Sequence, residues 1–122
     1  MSGMAAPRLE IDLSKIGHNV RSLCALYGSW GASVTAVTKV VLGAPSIART
    51  LVENGVTAIG DSRIENIRLM REAGIKAEYT LIRSPMVSQA SLVVEYADIS
   101  LNTELSVIKS LSSHAVEAGK LH

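Results

Sequence analysis

Four short apolar stretches of this sequence end in residues that could do chemistry. Thr38-Lys39 lies within Val34–Val41, and Asp61-Ser62 follows Val56–Gly60. Arg83-Ser84 follows Lys76–Ile82, while Ser100 and Asn102 fall at the end of Asp98–Leu101. Lys39 has the most consequential chemistry of these. It sits between Val37 and the run Val40-Val41-Leu42, and lysine is seldom buried without a reason. In a low-dielectric site its amine would shed its proton and become the nucleophile that Schiff-base chemistry requires. The same position also suits a lysine whose stem covers apolar surface while its ammonium reaches water. On sequence position alone that plainer reading is favoured.

The other candidates carry two readings as well. Arg83 could grip a carboxylate or phosphate through both guanidinium arms, or pair with a surface acid. Asp61-Ser62 reads first as an N-cap pair at a helix start, and second as polar groups facing the lysine across a shared rim. Polar residues at strand ends can simply meet water, although loops at such rims carry function unusually often. His18, near Arg21, reads as solvated, and His114 and His122 stand apart from any cluster. Cys24, at helical spacing from Ile16 and Val20, reads as a core residue. The sequence has no Walker loop, G-x-G-x-x-G, H-E-x-x-H or G-x-S-x-G motif.

The elements that must position these residues alternate in type. Val34–Val41 is β-branched and closes at Gly43-Ala44-Pro45, a strand and turn with proline suited to a helix's first turn. Ile47, Ala48, Leu51 and Val52 follow at helical spacing until Gly55. The unit then repeats. Strands are predicted at Val56–Gly60, Lys76–Ile82 and Asp98–Leu101. Helices are predicted from Ser62 to Gly74, from Val87 to Tyr96, and from Asn102-Thr103 to Gly119, the last with a Glu at capping-box spacing. Three helix exits share Glu-x-Gly (Gly55, Gly74, Gly119), and the fourth has Ala97 in place of glycine. Ahead of the repeats, Leu9–Leu13 alternates like an edge strand. Ser14 is expected to cap a helix that buries Ile16, Val20, Leu23, Cys24 and Leu26.

Alternating strands and helices imply an α/β fold of parallel strands joined by right-handed crossovers. Four βα units make half of a (β/α)8 barrel; the alternative is a small open doubly wound sheet. Residues 1–122 read as one domain, cut before a fifth strand at Gly119-Lys120-Leu121-His122. The two sheet edges of such a piece should drive self-association or homodimer formation.

Composition bounds the function class. The 122 residues are 48% hydrophobic and 19% charged, enough for a core. Aromatics make up 3%, with no Phe, which speaks against base-stacking platforms. Twelve basic against eleven acidic residues leave +1, too little for a phosphate-backbone binder driven by bulk charge. A single cysteine excludes an internal disulfide and a cysteine-based metal site, and fits a reducing cytoplasm. No run reaches transmembrane length. The expected partner is a small molecule, with no nucleic acid and no membrane.

Glu10-Ile11-Asp12-Leu13 with His18-Asn19 resembles the opening of the alanine-racemase N-terminal barrel. Ala36-Val37-Thr38-Lys39 resembles its first strand, where a lysine forms the internal aldimine with pyridoxal 5′-phosphate (PLP). Gly60-Asp61-Ser62-Arg63-Ile64-Glu65-Asn66, Arg83-Ser84-Pro85-Met86 and Tyr96–Asn102 are similar to the branch that contains ornithine racemase. The resemblance runs from about residue 8 to the end. It implies a PLP-binding TIM-type barrel in which Lys39 carries the cofactor and serves as one acid/base group, exchanging the α-proton of ornithine or another basic or polar amino acid. By rim position Ser62, Arg83 and Asn102 would approach the cofactor or substrate. Two departures stand out. Val40-Val41-Leu42-Gly43 replaces the tyrosine-containing segment of alanine racemases, and the family's phosphate cup and opposite-face base lie on strands later than these residues. A PLP-binding homeostasis protein of the same barrel is the alternative, but that group has Gly-Glu-Asn where this chain has Gly60-Asp61-Ser62. A non-catalytic interaction module is the third reading.

Overall fold

The computed structural model describes residues 6–122. Helix α1 (Leu13–Gly28) comes first, followed by strand β1 (Thr35–Val37), a 3-10 turn (Lys39–Val41) and α2 (Pro45–Glu53). Next come β2 (Ala58–Asp61), α3 (Ile64–Glu72) and β3 (Glu78–Leu81). A 3-10 turn (Val87–Gln89) leads into α4 (Ala90–Tyr96), β4 (Ile99–Ser100) and α5 (Leu105–Ala118).

The four strands are parallel and ordered β1-β2-β3-β4. Each crossover therefore steps to the next neighbour in the same direction, as in a barrel. A doubly wound sheet would reverse its order at a switch point, and this one does not. The register sets Val37 beside Gly60, Gly60 beside Thr80, and Thr80 beside Ile99. Val37 and Ile99 on that face are exposed. The opposite face is the buried one: Ile59, Tyr79 and Leu81 pack with Ala48, Ile67, Met70 and Val93 of the helices. One face is thus covered by helices and the other is open, the geometry of a barrel segment seen from inside.

Several elements depart from the sequence expectation. Leu9–Leu13 forms no strand. Asp12 is instead the N-cap of α1, its carboxylate accepting the Lys15 N–H at 3.1 Å, and no neighbouring strand offers Leu9 a ladder. Ser14 therefore lies inside the helix and caps nothing. Leu23 and Leu26 of the expected apolar stripe are exposed, because α1 buries a narrower strip centred on Gly17 and Val20. The first strand ends at Val37, four residues early, because the Thr38 carbonyl takes the Val41 and Gly43 N–H groups into a turn. At α5 the expected glutamate cap is not made. Glu104 is the N-cap without a side-chain hydrogen bond, and Asn102 is bent back onto Ser100. The glycine exits behave as read: Gly74 takes φ +76°, whereas Ala97, unable to do so cheaply, leaves α4 extended at φ −100°.

At the amino end of the sheet, Asp98 Oδ2 accepts the Tyr79 N–H at 2.7 Å and an Arg71 guanidinium N–H at 2.6 Å. The same guanidinium lies 4.8 Å from the Tyr79 ring centre and donates to the Tyr96 carbonyl. Tyr79 is fully buried, and its hydroxyl donates to the Ile75 carbonyl at 3.0 Å. No helix among the described residues is long and apolar enough to cross a membrane.

Burial, more than any neighbouring charge, pushes the Tyr79 phenol above its ordinary value of 10.0. The folded state therefore favours the neutral phenol. That contribution is complete below about pH 10 and is lost as pH rises through the folded value. Tyr79→Phe should cost about 1 kcal/mol near neutrality and flatten the alkaline loss of stability, as read by urea unfolding at a series of alkaline pH values. An alkaline limb of unchanged slope in the variant would refute this assignment.

Candidate active site

The chemistry-bearing residues stand at the carboxyl ends of the strands, and a buried carboxylate ties the ends of the first two strands together. Asp61, the last residue of β2, is fully buried. Its Oδ2 accepts the Thr38 hydroxyl at 2.7 Å. Its Oδ1 accepts the Arg63 backbone N–H at 2.9 Å and the Asn66 side-chain amide at 3.0 Å. Thr38 is also fully buried, and Asn66 nearly so. All three neighbours donate, so the carboxylate is an acceptor on every side. A buried carboxylate without such partners would be strongly unfavourable.

Asp61 therefore is not the helix N-cap that the sequence suggested. Arg63 holds that position in an extended conformation with no side-chain cap. Asp61 closes a turn onto Arg63 N–H two residues on, a local bond that aspartate makes readily, and spends its other oxygen on a different strand.

Lys39 follows Thr38 directly. The Thr38 N–H still donates to the Gly60 carbonyl at 3.1 Å, which is the last rung of the β1–β2 ladder. The Thr38 carbonyl then turns inward, accepting the Val41 N–H at 3.1 Å and the Gly43 N–H at 3.2 Å. The chain leaves the sheet as a 3-10 turn, with Leu42 at φ +55° and Gly43 at φ +63°. These bonds overrule the strand propensity of Val40-Val41. Lys39 is exposed, so its apolar sequence neighbours do not bury it here, and among the described residues it makes no ion pair.

The remaining sequence candidates fall into two clefts. Ser62 and Arg83 line one of about 350 Å³, together with Arg63, Glu65, Ser84 and Gln89. In it Gln89 donates to Glu65 at 3.1 Å, and the Ser84 hydroxyl is buried without a partner. Asn102 lines the other, beside Ser100 and His122. Its amide nitrogen donates to the Ser100 carbonyl and hydroxyl at 3.2 and 2.9 Å, and its carbonyl oxygen is buried and unpartnered. The Ser100 hydroxyl contacts His122 Nε2 at 2.8 Å. Ser62 and Arg83 are thus brought together, Asn102 stands apart from them, and Lys39 lines neither cleft. Sequence reasoning placed Thr38 and Asp61 on the rim but missed the bond between them and the central role of Asp61. The available signal was a threonine and an aspartate at the ends of adjacent strands, with an asparagine five residues beyond the aspartate.

The structure predicts a graded response at Asp61. Asp61→Ala strands three donors and should cost on the order of 3 kcal/mol in urea unfolding. Asp61→Asn keeps an acceptor for the two N–H groups, while its amide can donate to the Thr38 oxygen. It should cost less than about 1.5 kcal/mol. Equal losses below about 0.5 kcal/mol for both would mean that the carboxylate holds nothing.

Comparison with known proteins adds an independent line. The family model described as alanine racemase, N-terminal domain, matches residues 11–122. Lysine racemase of Thermotoga maritima is 36% identical over 108 residues, covering 88% of this chain and 30% of that protein. Ornithine racemase of Acetoanaerobium sticklandii is 32% identical over 116 residues, covering 95% and 32% respectively. The chain spans about a third of the length of these curated relatives. Among solved structures, a D-threonine aldolase from Filomicrobium marinum superposes with a TM-score of 0.81 at 17% identity, over 95% of this chain and 32% of that one. The alanine racemase of Streptomyces coelicolor A3(2) gives 0.75 at 24% identity, over 89% and 30%. At these identities the two structures speak for the fold alone, that of the amino-terminal part of a barrel.

Proposed function

The chain belongs to the alanine racemase N-terminal domain family, and on that premise we propose that it is the cofactor-anchoring part of a PLP-dependent amino-acid racemase, with Lys39 as the anchor. The observation that carries this reading is the exposed Lys39, which makes no ion pair among the described residues and is set directly after a threonine whose every polar group is engaged. A primary amine so placed fits an aldehyde cofactor: it is reachable, and no carboxylate of the described residues competes for it.

When bound, PLP supplies an electron sink that acidifies the α-hydrogen of an amino acid. The work of the chain is then to hold, orient and move protons. Lys39 Nζ would hold the cofactor and, as a free amine, would take or return the α-proton on one face. Ser62 and Arg83, which share a cleft, and Asn102, with its unpartnered carbonyl oxygen, are proposed to meet the cofactor or the substrate. The relatives named for lysine and ornithine support a basic amino acid as the substrate.

We further propose self-association of the isolated chain. Among the described residues strands β1 and β4 each have a neighbour on one side only, and the open face exposes Val37 and Ile99. Such edges pair with other strands unless they are covered. Light scattering should show a mass that rises with concentration, and a monomer at all concentrations would contradict the proposal.

The anchor is tested by titrating the native polypeptide with PLP, reducing with borohydride and mapping peptides by mass. A pyridoxyl group on Lys39, absent in Lys39→Ala, is expected, with racemisation of ornithine or lysine in the parent only. Label at other lysines with none at Lys39 would overturn the reading. Label at Lys39 without turnover of lysine, ornithine or alanine would point to a PLP carrier.

A further inference from the structure

We propose that Asp61 is a positioning residue for Lys39, acting through the Thr38 hydroxyl to fix the turn from which the lysine amine is presented. The inference rests on Lys39 being the cofactor anchor, but the contacts that carry it involve no cofactor. Every polar group of Thr38 is engaged. Its N–H holds Gly60, its hydroxyl holds Asp61, and its carbonyl receives the N–H groups of Val41 and Gly43. The backbone on both sides of Lys39 is therefore referred to Thr38, and the rotamer of Thr38 is referred to Asp61. Asp61 cannot swing away, because its second oxygen is held by Arg63 N–H and Asn66.

At the far end of the same turn the backbone passes close against Asn66. A Cβ built on Gly43 would come within 2.9 Å of the Asn66 Cβ and 3.0 Å of its carbonyl oxygen. The backbone of Gly43 thus lies directly on the residue that donates to Asp61. The turn is bonded at its start to Thr38 and abuts Asn66 at its close, and both of those residues donate to one carboxylate. Between them Leu42 is held at φ +55°, a conformation that a leucine keeps only where its surroundings over-determine it. Lys39, the one residue of the turn with reactive chemistry, makes no ion pair among the described residues to help hold it. The turn so held leaves the amine only its own side-chain torsions to search, which is how a rigid support pre-organises a reactive group.

The test compares Thr38→Val, isosteric but without the hydroxyl, with Thr38→Ser, which keeps it. Limiting acetic anhydride reacts with the chain between about pH 6 and pH 11, and peptide mass mapping follows Lys39 against Lys15, Lys76, Lys109 and Lys120 as internal standards. In Thr38→Val the relative rate at Lys39 should change by about threefold or more. Amide exchange at Val41 and Gly43 should quicken by about tenfold. The other four lysines should not change, and Thr38→Ser should restore the parent pattern. An unmoved Lys39 profile in a folded Thr38→Val would overturn the proposal. If that variant does not fold, Thr38→Ala, which admits water beside the carboxylate, carries the same comparison. The outcome separates from that of the cofactor reading. A moved profile in a chain that never takes the pyridoxyl label at Lys39 overturns only the anchor, and a labelled Lys39 with an unmoved profile overturns only the positioning.

Discussion

The bond between the Thr38 hydroxyl and the Asp61 carboxylate, 2.7 Å long and sealed from water, is the constraint on which the carboxyl rim depends. It joins the ends of two strands that otherwise share only three residue pairs. Its energetic weight is asymmetric. A satisfied buried hydrogen bond contributes about 1 kcal/mol, whereas an unsatisfied buried polar group costs about 1–3 kcal/mol. The pair therefore acts less as glue than as a condition: the strand ends can be buried only with Thr38, Asp61 and Asn66 in their observed places. From that condition follow the early exit of the chain from β1, the 3-10 turn at Lys39 and the close seating of Gly43 on Asn66.

The second organising feature is the division of the sheet into two faces. Sequential strand order sends every crossover the same way, so the helices collect on one side, where the aliphatic core forms with Tyr79 as its single fully buried aromatic. The other side is left open. Polar residues at the strand ends are consequently sorted by small differences in where each chain turns. Arg83 and Ser62 enter one cleft and Asn102 another, while Lys39 stands exposed. A shared rim does not by itself make a shared pocket.

Much of this was legible in the sequence, because it is encoded locally. The strand–helix rhythm, the glycine exits and the lysine at the end of the first strand all rest on patterns within a few residues, and the blocks that carry the family resemblance follow one another in order. What escaped was decided by tertiary partners. Leu9–Leu13 alternates as a strand should, yet alternation without a neighbour makes no ladder, and Asp12 found better use as a helix cap. Val40-Val41 has strand propensity, but the Thr38 carbonyl captured the following amides. Asp61 resembled a cap because it precedes a helix. Only the fold could reveal that its other oxygen is committed to a residue 23 positions away. The glutamate expected to cap α5 stands at the N-cap itself, not three residues inside the helix where a capping-box glutamate reaches back.

The central claim is that Thr38 and Asp61 act as a unit, and a double-mutant cycle tests it most directly. Unfolding free energies of the parent, Thr38→Val, Asp61→Ala and the double variant give the coupling between the two side chains without reference to any other contact. Thr38→Val should cost about 1 kcal/mol in the parent and nearly nothing once Asp61 is gone, a coupling of about 1 kcal/mol. Losses that add to within about 0.3 kcal/mol would contradict it, and would leave the turn at Lys39 without the support described here.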